Sequence, residues 1–205
     1  MSAKSIVITG GPGAGKTALL EVVRRHFCPH VAVLGESASI LFGGGFPRRK
    51  SAPGRKAAQR AIYHVQVELE TLAALDGNVH LMLCDRGTLD GIAYWPGPPE
   101  SYLRQVGTTR ERELARYAAV IHLRTPSASS GFNHQNMLRI ETAHQAHEID
   151  RRIAEAWHGH PRRFFVESSH EFTEKVARAL ALIEAELPPC CQECQVSLRS
   201  ATSGR

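Results

Sequence analysis

The sequence predicts an α/β fold, a five-stranded parallel sheet with helices on both faces. Two observations predict it. Short apolar runs alternate with longer segments whose apolar residues recur every three to four positions, and parallel strands need such helical crossovers. A glycine-rich turn at residues 10–15 joins the first apolar run to the first helical segment, where open α/β sheets bind anions.

Residues 5–9 (SIVIT) form the first strand candidate, a buried apolar run ending in glycines. Residues 17–27 follow with Leu19, Val22, Val23 and Phe27 on one helical face. Residues 31–35 are the second strand candidate. Residues 43–60 are broken by Gly and Pro and carry Arg48, Arg49, Lys50, Arg55, Lys56 and Arg60 without an acid. A long helix is expected over 56–75 and strands over 79–84, 118–123 and 164–166. Between the last two strands, a turn-rich piece leads into a helix with Ile149, Ile153 and Trp157 on one face. A closing helix spans 171–187 and stops at Pro188-Pro189. One domain over 1–188 is expected, followed by a polar, disordered tail over 189–205.

The composition agrees. The chain has 205 residues, with 42% hydrophobic and 22% charged, which excludes whole-chain disorder. No apolar run reaches the roughly 18 residues of a membrane helix, and the N-terminal residues lack a signal-peptide pattern, so a cytoplasmic protein is expected. Five cysteines in no regular framework argue against a secreted disulfide scaffold. The net charge of +5 suits an anionic partner, and nucleotide phosphates suffice.

Gly10, Gly11, Pro12, Gly13, Ala14, Gly15, Lys16 and Thr17 fit G-x-x-x-x-G-K-[ST] in full, with a strand before and a helix after. Each part has a reason. Glycines let backbone N–H groups turn toward phosphate oxygens, and the helix aims its positive end at the same anion. Lys16 reaches the β- and γ-phosphates of ATP, and the Thr17 hydroxyl ligates Mg²⁺. A second metal carboxylate is expected at the end of a neighbouring strand, and Asp85 supplies it, holding Mg²⁺ through a water. Arg86 follows it, where water-activating ATPases place a Glu. An Arg suits a phosphate or a substrate hydroxyl, which favours transfer to an acceptor over hydrolysis.

Asp85-Arg86 after an apolar strand resembles the D-R motif of nucleoside and thymidylate kinases. The string from Cys84 to Trp95 (CDRGTLDGIAYW), with residues 10–17 and Glu36, resembles the NadR-like AAA-type ATP-binding domain, related to ribosylnicotinamide kinase, over about residues 4–187. The resemblance implies a nucleoside-kinase-type P-loop fold. It also implies that the carboxylate of Glu36 faces the acceptor hydroxyl, as a general base or an orienting group. A helix N-terminal Glu favoured by the dipole is the plainer alternative. Asn136, Arg139 and Glu141 resemble an N-x-x-R-x-E piece of a lid over about 125–158, in which Arg139 neutralises charge on the transferring phosphoryl.

Other candidates carry plainer readings. Asp90 and Tyr94 line an acceptor pocket or serve as a cap and a packed aromatic. Arg151 and Arg152 are expected on a solvated helix face, as are His144 and His147. The basic run 48–60 is a solvated mobile loop, or binds an anionic acceptor or a phospholipid headgroup. It lacks interleaved aromatics, which argues against nucleic acid. Cys190, Cys191 and Cys194 resemble half of a zinc site. No second Cys pair completes it, so thiols in a mobile tail are expected. Three functions compete: a small-molecule kinase, a nucleotide-binding switch with a docking loop, and a plain NTPase, the least favoured because no activating Glu follows Asp85. ATP is the default nucleotide, since no N-K-x-D string reads guanine.

Overall fold

The computed structural model describes residues 3–126, 143–169, 171–189 and 191–192. Five strands form one parallel sheet: β1 (Lys4–Thr9), β2 (Val31–Leu34), β3 (Leu81–Asp85), β4 (Ala119–Leu123) and β5 (Arg163–Val166), in the order β2-β3-β1-β4-β5. The chain leaves β1 toward one edge and later crosses to the other, so β1 sits at the switch point where such sheets bind ligands. Register brings Asp85 beside Ile8 and His122 beside Thr9, which sets three strand ends around the glycine-rich turn.

Alternation along the strands makes two cores. Ile6 and Ile8, Leu81 and Leu83, and Ala119, Ile121 and Leu123 face one side, where α1 (Lys16–His26) and α8 (Phe172–Glu184) cover them. Val7, Cys84 and Val120 face the other side with Tyr63, Trp95, Tyr102, Ile153 and Trp157. That side is covered by α3 (Ala52–Leu75), α4 (Gly91–Tyr94), α5 (Pro99–Val106) and α7 (Ala143–Ala156). Strands buried on both faces read as continuous apolar runs.

The five expected strands and their parallel sheet hold, with ends shifted by one or two residues. Three features differ. The long helix begins at Ala52, earlier than expected, because Ser51 accepts the Gly54 N–H and Pro53 suits the first turn. Part of the basic run is therefore helix rather than loop. Three short helices have no periodicity long enough to announce them: α2 (Ser37–Gly43), α5 and α6 (Arg110–Ala115). Cys191 is not in a loose tail but fully buried in the first core, where a turn folds back with Cys191 N–H on Pro188 O at 2.9 Å. No helix among the described residues is long and apolar enough to cross a membrane.

Candidate functional site

The turn after β1 has the backbone its glycines were read to provide. Gly10, Gly13 and Gly15 have φ of 134°, 80° and 93°, conformations that favour glycine. Gly15 hands directly to α1, whose first residue is Lys16. Gly11 is glycine for a second reason. A Cβ there would lie 2.5 Å from Thr125 Oγ1 and 2.9 Å from Ala146 O, so α7 packs against bare backbone.

Lys16 folds back over the turn. Its Nζ donates to Gly10 O at 2.9 Å and Gly11 O at 3.0 Å. Burial, aided by the Arg86 guanidinium, pulls its pKa from 10.5 down to about 7. Thr17 follows at the helix start with an exposed side chain. Asp85 closes β3, and its Oδ1 is buried with no hydrogen-bond partner. Burial raises its carboxyl above the ordinary range. An orphaned carboxylate oxygen at a phosphate turn fits Mg²⁺, which takes few carboxylates and keeps waters.

Arg86 is the one described non-glycine residue with positive φ, at 72°. That backbone, pinned by Arg86 N–H to Ile8 O at 3.0 Å, stores strain. The side chain is well held. Its Nε donates to Glu36 Oε1 at 2.6 Å, and one terminal nitrogen reaches Gly10 O at 3.3 Å and Asp90 Oδ2 at 3.5 Å. Glu36 also accepts from Ser39 Oγ at 2.5 Å. Burial opposes its ionisation, but Arg86 and these hydrogen bonds outweigh it and hold the carboxyl down at about 2. Glu36 stands at the N-terminus of α2, as the plainer alternative has it, but its side chain caps no backbone N–H there and turns to Arg86 and Ser39 instead.

Asp90 is a buried hub. Oδ2 accepts from Thr9 Oγ1 at 2.6 Å, and Oδ1 accepts from Trp157 Nε1 at 2.6 Å. It joins β1, the 3₁₀ turn Thr88–Asp90 and the end of α7. Tyr94 lies under the Arg86 guanidinium, 5.7 Å from its ring centre.

A cavity of about 740 Å³ opens beside the turn, between α2 and α3 on one side and α4 and α7 on the other. Glu36, Arg86 and Asp90 line it, as do Tyr63, Tyr94 and Tyr102. Arg48, Arg49, Lys50 and Arg55 also line it, so most of the basic run faces the cavity, while Lys56 lies over Trp95 and Arg60 donates to Gln105. Arg152 lines the cavity too, contrary to the solvated-face reading, while Arg151 pairs with Glu148 at 2.8 Å on the surface as expected. Behind the wall, Glu113 accepts from Tyr63, Thr88 and Thr108 at 2.6–2.8 Å, and Glu70 accepts from Gln66 at 2.9 Å and Tyr117 at 2.7 Å. Those contacts lock the pocket's side chains.

Two residues were not singled out from sequence. Asp150 of α7 accepts the Gly11 N–H at 2.8 Å, His122 Nε2 at 2.9 Å and Arg124 at 3.1 Å. Despite burial, those partners hold its carboxyl far below the ordinary range. Lys175 of α8 donates to Ala14 O at 2.8 Å and Arg124 O at 2.5 Å, and burial lowers its pKa to about 8. A signal existed for both. Each interrupts the buried stripe of its helix, Asp150 with Ala146, Ile153 and Trp157, and Lys175 with Ala179 and Ile183. Arg139 lies outside the described residues, with Asn136 and Glu141.

Residues 5–175 match the family model described as AAA domain. Among solved structures, the chain is similar to the NadR protein in complex with NAD and AMP-PNP, at TM-score 0.62 and 14% identity, over 89% of this chain and 49% of that one. It is similar to NadR in complex with NR at TM-score 0.62 and 12% identity, over 82% and 47%. It is also similar to thymidylate kinase from Candida albicans at TM-score 0.57 and 13% identity, over 90% and 92%. The chain thus spans about half the length of the NadR chains it matches. No curated protein matches it in sequence. At these identities the likeness establishes only the shared fold, that of the NadR and thymidylate kinase structures.

Proposed function

This chain belongs to the AAA domain family, and on that premise we propose that it is a Mg²⁺-dependent kinase moving the γ-phosphoryl group of ATP to a hydroxyl of a nucleoside-like acceptor. One observation carries the reading. Arg86, at the position where hydrolysing ATPases keep a catalytic Glu, is clamped by Glu36 and Asp90 on the wall of a cavity beside the phosphate turn. The cavity is roomy enough for a nucleoside-sized acceptor.

The residues divide the work. The turn Gly10–Thr17 holds the phosphates, and Lys16 moves from the Gly10 and Gly11 carbonyls to the β- and γ-phosphates. Thr17 and Asp85 hold Mg²⁺, which when bound neutralises charge building on the phosphate oxygens. Arg86 points its guanidinium between the phosphates and the acceptor. Glu36, ionised far below neutral pH, orients Arg86 and the acceptor hydroxyl rather than removing a proton near pH 7. Positioning and charge stabilisation suffice for such chemistry. Arg139 is kept as a phosphate contact on sequence grounds.

The basic run supports this reading over a docking surface. Arg48, Arg49, Lys50 and Arg55 line the same cavity as Arg86, which supports an acceptor bound there over a separate docking surface. The test is a panel of nucleosides, nucleotides and sugars with Mg-ATP, scored by ADP release against an acceptor-free control. A kinase hydrolyses ATP slowly alone and turns over faster with its acceptor. If no panel member stimulates turnover while ATP is still bound, the kinase reading falls and the switch reading takes its place.

A further inference from the structure

Far from the phosphate turn, the fold brings Cys191 against two other residues that can ligate a metal. Cys28 and His30 lie between α1 and β2, at the opposite end of the parallel sheet from the turn after β1. Cys191 comes from the turn after α8. The three ligand atoms, two sulfurs and a ring nitrogen, lie within 4.8 Å of one another. We propose that Cys28, His30 and Cys191 form a structural zinc site that pins the segment after α8 to the start of β2.

The geometry is that of donors around a single ion. Tetrahedral Zn²⁺, with bonds of about 2.3 Å to sulfur and about 2.0–2.1 Å to nitrogen, holds an S···N pair roughly 3.6 Å apart. Cys28 Sγ and His30 Nδ1 are 3.6 Å apart. Both halves are anchored by backbone. Val31 N–H bonds Cys28 O at 3.0 Å, His80 N–H bonds His30 O at 2.9 Å, and Cys191 N–H bonds Pro188 O at 2.9 Å. The His30 ring is also braced by stacking on His80, centre to centre 5.0 Å.

The chemistry selects the metal. Two thiolates and an imidazole suit Zn²⁺ and not Mg²⁺, which takes oxygen donors. Cys28 and Cys191 are 2% and 0% exposed, beside apolar core, while His30 is half-buried. Binding displaces two thiol protons, and the two resulting thiolates neutralise the dication, so no net charge is left against the core. The fourth tetrahedral position is open to water.

The site has no part in phosphate binding, so its test is separate from that of the kinase reading. The full chain, purified with reductant and without chelator, should carry about one zinc per chain by elemental analysis, falling at least tenfold in Cys191→Ser and in His30→Ala. Cobalt added to the metal-stripped protein should give a thiolate-to-cobalt charge-transfer band that weakens in Cys191→Ser. Chelation should lower the melting temperature of the wild type and leave that of Cys191→Ser unmoved. Cys28→Ser is a further arm, and since its burial makes misfolding a risk, the other two variants decide the matter. Three results overturn the proposal: fully reduced wild type that binds no stoichiometric zinc or cobalt, zinc retained undiminished in both Cys191→Ser and His30→Ala, or a Cys28–Cys191 disulfide in the metal-free protein by peptide mass spectrometry.

Discussion

The carboxylate of Asp150 accepts the backbone N–H of Gly11 at 2.8 Å, so a helix 139 residues further along the chain holds the phosphate turn in place. The same carboxylate takes His122 and Arg124 at the end of β4. Asp150→Ala should cost about 3 kcal/mol, the scale of breaking a buried charge pair by removing one partner. Chemical denaturation at neutral pH measures it. The pH dependence has a fixed sign. The folded carboxyl ionises below its ordinary 3.8, so this stability is present above about pH 4 and is lost as pH falls further. The gap between wild type and Asp150→Asn should narrow on going from about pH 5 to pH 3. A gap that is constant across that range would remove Asp150 from the acid response.

Nucleotide binding should take up a proton. Free Lys16 has a pKa of about 7, and polyphosphate beside it restores the charged form. Uptake should approach one proton near pH 8–9 and shrink as pH falls below about 7. Calorimetry in two buffers of different ionisation enthalpy reads it directly. Affinity should weaken as pH rises above 7, and Lys16→Met should abolish the buffer dependence and lose at least tenfold in affinity, since charge-assisted contacts contribute about 1.5–3 kcal/mol. Identical enthalpies in both buffers would refute the lowered pKa.

Glu36→Gln distinguishes a base from a positioning group. Loss of its charged hold on Arg86 should cost about tenfold to a hundredfold in acceptor-dependent kcat. Because the carboxyl sits at about 2, the acid limb of the pH–rate profile should be the same in wild type and variant. A loss on the order of 10³ or more, together with disappearance of an ionisation near neutral pH, would make Glu36 the base instead. Arg86→Ala should lower kcat more than it weakens ATP binding, since its contribution falls in the transition state.

Asp85→Asn should leave metal-free ATP binding nearly intact and remove much of the extra affinity that Mg²⁺ gives. The orphaned Oδ1 motivates this. Titration of ATP with and without Mg²⁺ checks it, and equal Mg²⁺ responses in the two proteins would leave Asp85 a strand-end residue only.

Local rules were enough to read the strands, α1 and the phosphate turn, because each is written in consecutive residues. Burial on both faces demands unbroken apolar runs such as residues 6–8. Phosphate cradling demands glycines, lysine and threonine at set spacing, and the Arg after Asp85 is a single-position signal. What stayed hidden depends on residues far apart in the chain. No local pattern says that Glu36 pairs with Arg86, since fifty residues and the insertion of β3 between β2 and β1 bring them together. The short helix α2 is held by contacts such as Ser37 Oγ on Gln66, not by periodicity. Asp150 and Lys175 break the stripes of their own helices, and only the packing of α7 and α8 against the turn shows that they support its backbone. Cys191 read as part of a polar tail for the same reason: its partners, Cys28 and His30, lie more than 160 residues earlier, and only the fold of the chain sets them side by side.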